Sequence, residues 1–186
     1  ANIPQNKLEN NYLSYYHQEI NEKVDQQIKK DLKRTLTDES VFEVDEFQNS
    51  LYKVLRAFAN NDKEVSYCQG MNFIAGFLSI ISDFNETDVF YMMQSLFSST
   101  FANHLGLRGF YVENFPMLQF YLKLFDFFFK LNLPDLHEHF TQLNLPPDAW
   151  ISKWFMTLYT ICMPIPVTKR IWDCILTYGL DFLIQF

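Results

Sequence analysis

The sequence predicts an all-α protein, on three observations. Apolar side chains recur at three- and four-residue spacing in one stretch after another, and no segment shows sustained alternation with period two. Prolines, glycines and asparagines fall between these stretches, where helices start and stop. With 186 residues, 48% of them hydrophobic, the chain suits one domain or two small lobes sharing a core, and it is no disordered segment.

The first 19 residues are rich in Asn, Gln and Tyr, with Pro4 near the start, and predict a loose lead-in to a short helix. Val24, Ile28 and Leu32 then fall at i, i+4 and i+8, the apolar stripe of a helix whose other faces carry Lys29, Lys30 and Lys33. Asp31 and Arg34 are i, i+3 neighbours near its end. Residues 35–44 read as a loop, and Asp45 reads as the cap of a helix that buries Phe47, Leu51, Val54, Leu55 and Phe58 and ends at Asn60-Asn61-Asp62. After a turn at Gln69, Phe73, Ile74, Phe77, Leu78 and Ile81 describe a helix apolar on nearly every side, which places it in the middle of the structure. A further helix starts near Asn85 and carries Val89, Phe90, Met93, Leu96 and Phe97 inward, until Gly106 and Gly109 break the pattern.

Pro116 suits the first turn of a helix running through Leu118, Tyr121, Leu122, Phe125 and Phe129. Pro134 opens a short helix, and Pro146-Pro147-Asp148 open one holding Trp150, Trp154, Phe155 and Leu158, with core packing expected for the tryptophans. Residues 163–166 separate it from a helix over 169–178 whose apolar side is Ile171, Trp172, Ile175 and Leu176 and whose stop is Gly179.

A net charge of -7 and a pI near 5.0 argue against a phosphate-tracking surface, so nucleic acid is not an expected partner. Cys68, Cys162 and Cys174 are an odd number without C-x-x-C spacing, which indicates neither a disulfide framework nor a zinc ribbon and fits a reducing compartment. No secretory signal opens the chain, and the apolar run from Met71 to Ser82 is shorter than the roughly 20 residues a bilayer span needs. A cytoplasmic location is expected. His137-Glu138-His139 lacks the i, i+4 spacing of a helical zinc site and reads as a solvated face. Neither G-x-x-x-x-G-K-[ST] nor G-x-G-x-x-G occurs, so the chain is not expected to hold a nucleotide by itself.

Two segments carry chemistry. Gln69 offers an amide with two donors and an acceptor, mounted on a turn directly ahead of the apolar helix, and Gly70 permits an unusual backbone angle or a close approach there. Arg34 brings a guanidinium fork suited to phosphate oxygens. Taken singly, each is an ordinary surface residue, Arg34 being paired with Asp31 in a contact worth about 0.3–0.5 kcal/mol. Cys68, next to Gln69, raises a cysteine-hydrolase alternative, against which stands the lack of a histidine placed to activate it.

Ile28-x-x-Asp31-x-x-Arg34 and Tyr67-x-Gln69-Gly70 resemble the I-x-x-D-x-x-R and Y-x-Q-G motifs of the TBC family, GTPase-activating proteins for Rab GTPases. Arg56 to Asn60, Gly106 to Tyr111, Trp154-Phe155, and Arg170 to Asp173 with Gly179 extend the resemblance over most of residues 27–183. It implies a two-lobed helical domain, with both motifs in an N-terminal lobe of roughly residues 1–110 and a C-terminal lobe of roughly 111–186. It assigns Arg34 as an arginine finger and Gln69 as a glutamine finger that positions the attacking water, with Asp31, Tyr67 and Gly70 in support. The implied partner is a GTP-bound Rab that brings GTP and magnesium, so no cofactor of the chain's own is expected. A role in vesicle trafficking, with peripheral recruitment to endomembranes through partners, follows from the same resemblance. The alternative is a catalytically silent TBC fold that binds a Rab or serves as a scaffold.

The chain departs from the family at Ser66, where glycine is usual, and at Leu36-Thr37, where an aromatic and a proline are usual. The family's N-terminal arginine-tryptophan element is not evident, and an apolar run reaches Phe186, so a domain truncated at one or both ends is expected.

Overall fold

A computed structural model describes residues 4–37, 44–98 and 107–185, and among them it contains helices and no strand. Part of the expected loop at 35–44, Gly106 and Phe186 lie outside the described residues. The chain forms two compact units, residues 1–98 and 99–186.

The first unit comprises α1 (Gln5–Tyr16), α2 (Glu22–Leu32), α3 (Asp45–Asn61), α4 (Met71–Ile81) and α5 (Glu86–Leu96). Helix α3 packs against all four others. Its Leu51, Val54, Leu55 and Phe58 are buried as the spacing predicts, each such side chain contributing about 1.5–3 kcal/mol. Asp45 is not the cap. Val44 occupies that position without a side-chain hydrogen bond, and Asp45 and Glu46 instead place negative charge in the first turn, against the helix dipole. On α4 nine consecutive residues, Met71 to Ser79, are buried, while Ile81, expected inside, is 44% exposed where the helix leaves the core. Asn85 caps α5 by accepting from the Asp88 N–H at 3.1 Å.

Helix α1 is longer and better anchored than a loose lead-in. Its one fully buried residue, Tyr12, packs its ring near Phe90 and donates to Glu86 Oε2 at 2.9 Å. Arg56 donates from Nε to the Tyr16 carbonyl at 2.9 Å and from Nη2 to the Gln18 carbonyl at 2.8 Å, and Asn60 Nδ2 donates to the Tyr15 carbonyl at 3.0 Å. These bonds tie α3 to carbonyls at and just past the end of α1, the Tyr15 carbonyl also accepting from the Gln18 N–H at 3.2 Å.

Arg56 also faces Asp25, with Nη1 3.4 Å from Oδ1, beside Lys29 Nζ at 2.7 Å from Oδ2 and the donating Tyr52 hydroxyl. Burial pushes the Asp25 carboxyl upward, but hydrogen bonds from Lys29 and Tyr52 and the charges of Lys29 and Arg56 outweigh it and hold the group below its ordinary value of 3.8. Because the folded value is depressed, the stability that Asp25 contributes is whole above the unfolded pKa and is lost as the pH falls through the folded one. The urea midpoint of the wild-type chain is therefore expected to drop more than that of Asp25→Asn between about pH 5 and about pH 2. Parallel curves for the two proteins would exclude this contribution.

The second unit comprises a 3-10 helix (Leu107–Phe110), α6 (Pro116–Asn132), α7 (Pro134–Gln142), α8 (Asp148–Met156), α9 (Ile165–Tyr178) and a second 3-10 helix (Leu180–Ile184). A Cβ on Gly109 would run into the Met117 side chain, so close approach requires glycine there. Buried hydroxyls and an indole tie the unit together: Tyr121 to Asp181 Oδ1 at 2.8 Å, Tyr159 to the Leu183 carbonyl at 2.6 Å, and Trp172 Nε1 to the Leu158 carbonyl at 3.1 Å.

Helix α9 begins four residues before the expected start, because Pro166 is accommodated in its first turn, where no N–H partner is needed. Leu176, expected on its apolar side, is 56% exposed, and Gly179 ends the helix with φ 89°. Trp172 is buried, whereas Trp150 and Trp154 are half-buried and meet edge to face. Glu138 and His139 are exposed as expected, but His137 is only partly so: its ring packs on Phe129 and its Nε2 lies 3.0 Å from Asp126 Oδ1. No helix among the described residues is long and apolar enough to cross a membrane.

Candidate functional site

Helix α2 places Asp31 three residues after Ile28 and beside Leu32, on the face turned inward, and the carboxylate is 0% exposed. A charge so placed must be fully bonded. Gln27, one turn earlier, donates from Nε2 to both carboxylate oxygens at 3.0 Å. Arg34 donates to Oδ1 from Nε at 3.0 Å and from Nη2 at 2.7 Å, and the Tyr67 hydroxyl donates to Oδ2 at 2.8 Å. The Asp31–Arg34 pair is thus no loose surface contact. One end of it is buried, while the arginine side chain remains 47% exposed, with two of its five N–H donors used on Asp31.

Arg34 lies just past the end of α2, where its backbone N–H still bonds to the Asp31 carbonyl at 3.1 Å and Leu36 then turns the chain at φ 46°. The glutamine turn is built with equal care. Asp62 accepts from Val65 N–H through its carboxylate at 3.1 Å and from Ser66 N–H through its carbonyl at 2.7 Å, Ser66 adopts φ 53°, and Gly70 caps α4 at φ 109°. Gly70 is buried and Gln69 beside it is exposed. Among the described residues the Gln69 side-chain amide makes no hydrogen bond.

The structure therefore gathers Asp31, Arg34 and Tyr67 into one hydrogen-bonded cluster, joins Gly70 to it through its backbone N–H, and presents Gln69 at the edge. Three further members are Gln27, Thr35 and Asn72. Gln27 stands at i-4 from Asp31, a helical neighbour that spacing alone reveals. Asn72 is the one amide on the apolar helix α4, a buried polar group that demands partners, and that was its signal in the sequence. Thr35 carried none.

Burial, and then the hydrogen bond to Asp31, push the Tyr67 phenol far above its usual range, so it stays protonated and remains a donor to the carboxylate. Burial also raises the Cys68 thiol, only partly opposed by the Gln69 backbone, and a protonated thiol is the reverse of what a hydrolase nucleophile requires. Asp31→Ala would leave four donor groups on three side chains facing an empty buried site, and a loss of about 2–4 kcal/mol is expected in urea unfolding. A change below about 0.5 kcal/mol, as for a surface pair, would show that the cluster does not anchor α2 to the glutamine turn.

Residues 2–186 match the family profile of RabGAP-TBC, the Rab-GTPase-TBC domain. The chain belongs to this family. The TBC domain is 33% identical over 174 residues to the Rab GTPase-activating protein eat-17 of Caenorhabditis elegans, covering 92% of this chain and 18% of that protein. It is 31% identical over 172 residues to the human growth hormone-regulated TBC protein 1, covering 89% of this chain and 49% of that one. The chain thus spans half or less of the length of these relatives.

In fold, the TBC domain is similar to the crystal structure of the Chlamydomonas flagellar RabGAP TBC domain, with a TM-score of 0.76 at 19% identity over 98% of this chain and 57% of the other. The Ypt/Rab-GAP domain of Gyp1p gives the same TM-score at 19% identity, over 96% of this chain and 63% of the other. The departure at Ser66 now has a physical content. Its φ of 53° lies in the left-handed region, which glycine adopts without the roughly 1–2 kcal/mol that a Cβ costs.

Proposed function

We propose that this TBC domain accelerates GTP hydrolysis by a Rab GTPase, supplying Arg34 and Gln69 in trans, and so acts in vesicle trafficking. One observation carries the reading: the turns bearing the two residues are tied together through buried polar groups, while both side chains stand at the surface. That arrangement suits groups that complete a site belonging to another protein.

During hydrolysis, negative charge redistributes over the transferred phosphoryl group and the leaving oxygen, and a water must lie in line behind the phosphorus. The guanidinium of Arg34 would meet that charge where water has been expelled, an effect of about 10³ to 10⁵ in rate, or roughly 4–7 kcal/mol. Asp31 would hold the guanidinium plane while leaving its other donors free. The Gln69 amide would accept from the attacking water and orient it, in place of the GTPase's own glutamine. GTP and its magnesium arrive with the GTPase, as substrate.

The test is single-turnover hydrolysis across a panel of GTP-loaded Rabs with the wild-type chain. Selective acceleration of one or a few Rabs is expected, because recognition depends on surface shape and not on the two fingers. Rab binding without acceleration of any member would identify a silent binding module instead.

A further inference from the structure

Thr35 and Gly70 each stand one residue beyond a proposed finger, and a single buried side chain holds both. Asn72 Nδ2 donates to Thr35 Oγ1 at 2.8 Å, and Asn72 Oδ1 accepts from the Gly70 N–H at 3.1 Å. The orientation of the amide is determined. The Thr35 hydroxyl spends its one proton on the Asp31 carbonyl at 2.8 Å, so it can only accept from Asn72, and the Gly70 N–H requires an oxygen opposite it. Asn72 is 0% exposed and Thr35 2%, so water does not compete for these bonds.

The tie is needed because neither finger sits inside a helix. Arg34 stands two residues after the last of α2 and Gln69 two before the first of α4, and the chain takes a positive φ at Leu36 and again at Gly70. Helical hydrogen bonding therefore fixes neither turn fully, while two groups acting on one phosphoryl group must keep their separation to a fraction of an ångström. We infer that Asn72 is a positioning residue that sets the mutual register of Arg34 and Gln69, acting through Thr35 and Gly70 without touching the nucleotide. This rests on the activator function proposed above.

Thr35→Val keeps the shape and removes the acceptor, and its effect is read against two backgrounds. With a Rab that the wild-type chain accelerates, the single-turnover rate at saturating chain is expected to fall about 10- to 100-fold, with the half-saturating concentration unchanged. In the Gln69→Ala background, where no second finger remains to be registered, the same substitution is expected to cost no more than about 3-fold. Thr35→Ser, which keeps the hydroxyl, should stay within about 3-fold of wild type. If Thr35→Val loses its cooperative melt, Thr35→Cys, whose sulfur is a weak acceptor, takes its place in the same comparison.

An equal loss in both backgrounds, or no loss in either, overturns the register role while leaving the fingers standing. Acceleration of no Rab by the wild-type chain overturns the activator function and the register role together. A loss confined to the background that retains Gln69 supports the inference.

Discussion

Arg34→Ala is expected to lower the acceleration of GTP hydrolysis by about 10³-fold or more, with affinity for the GTP-loaded Rab largely kept. In the proposed role the guanidinium would act where charge develops during the reaction, so its loss should appear in the single-turnover rate at saturating chain and not in the half-saturating concentration. Arg34→Lys should fare nearly as badly. Lysine keeps the charge but not the planar fork, and the fork is what lets Arg34 bond to Asp31 through Nε and Nη2 while Nη1 stays available. A lysine ammonium at the end of a flexible stem would either pair with the buried carboxylate or reach outward. Retained acceleration in both variants would refute the assignment of Arg34 as a finger.

Gln69→Ala is expected to cost about 10²- to 10³-fold, the scale of removing one preorganised polar group from a reaction centre. Gln69→Glu should do no better, since a carboxylate of the same length brings negative charge toward the phosphates. The sharper test lies in the partner. If the Gln69 amide replaces the GTPase's own glutamine, a Rab with that glutamine changed to leucine should still respond to the wild-type chain and cease to respond to Gln69→Ala. A glutamine-deficient Rab that the wild-type chain fails to accelerate would remove the water-positioning role and leave that of Arg34 intact. Substitution of Gln69 should leave the melt nearly unchanged, because its amide bonds to nothing among the described residues, whereas Arg34→Ala takes two hydrogen bonds from the buried Asp31 carboxylate and should lower the melt as well.

Helix periodicity was legible where one face of a helix is apolar and the other polar. Leu51, Val54, Leu55 and Phe58 on α3, and Val89, Phe90 and Met93 on α5, are buried at the predicted spacing. It failed at the margins, where propensity and pattern do not decide. Helix α1 buries one residue fully and has almost no stripe to read. Ile81 and Leu176 are apolar residues near helix ends that the core does not reach, and Pro166 looks like a separator but is compatible with a first turn. The pairing of His137 with Asp126 joins α7 to α6, a contact that no local spacing records.

The two motifs, the helical class and the family were written in the sequence, because each depends on residue identity at short, fixed spacing, and such spacing maps directly onto a helix face or a turn. What only the tertiary structure decided is the environment of those residues. Asp31 reads as half of an exposed ion pair until α2 turns it inward against the glutamine turn, where it is bonded by Gln27, Arg34 and Tyr67. Asn72 reads as one polar letter in an apolar helix until Thr35 and Gly70 come within hydrogen-bonding distance of it. The reason is that burial and partner choice depend on which segments meet across the fold. A buried carboxylate or amide is tolerated only when remote residues supply every missing hydrogen bond, and their identity cannot be inferred from the neighbours along the chain.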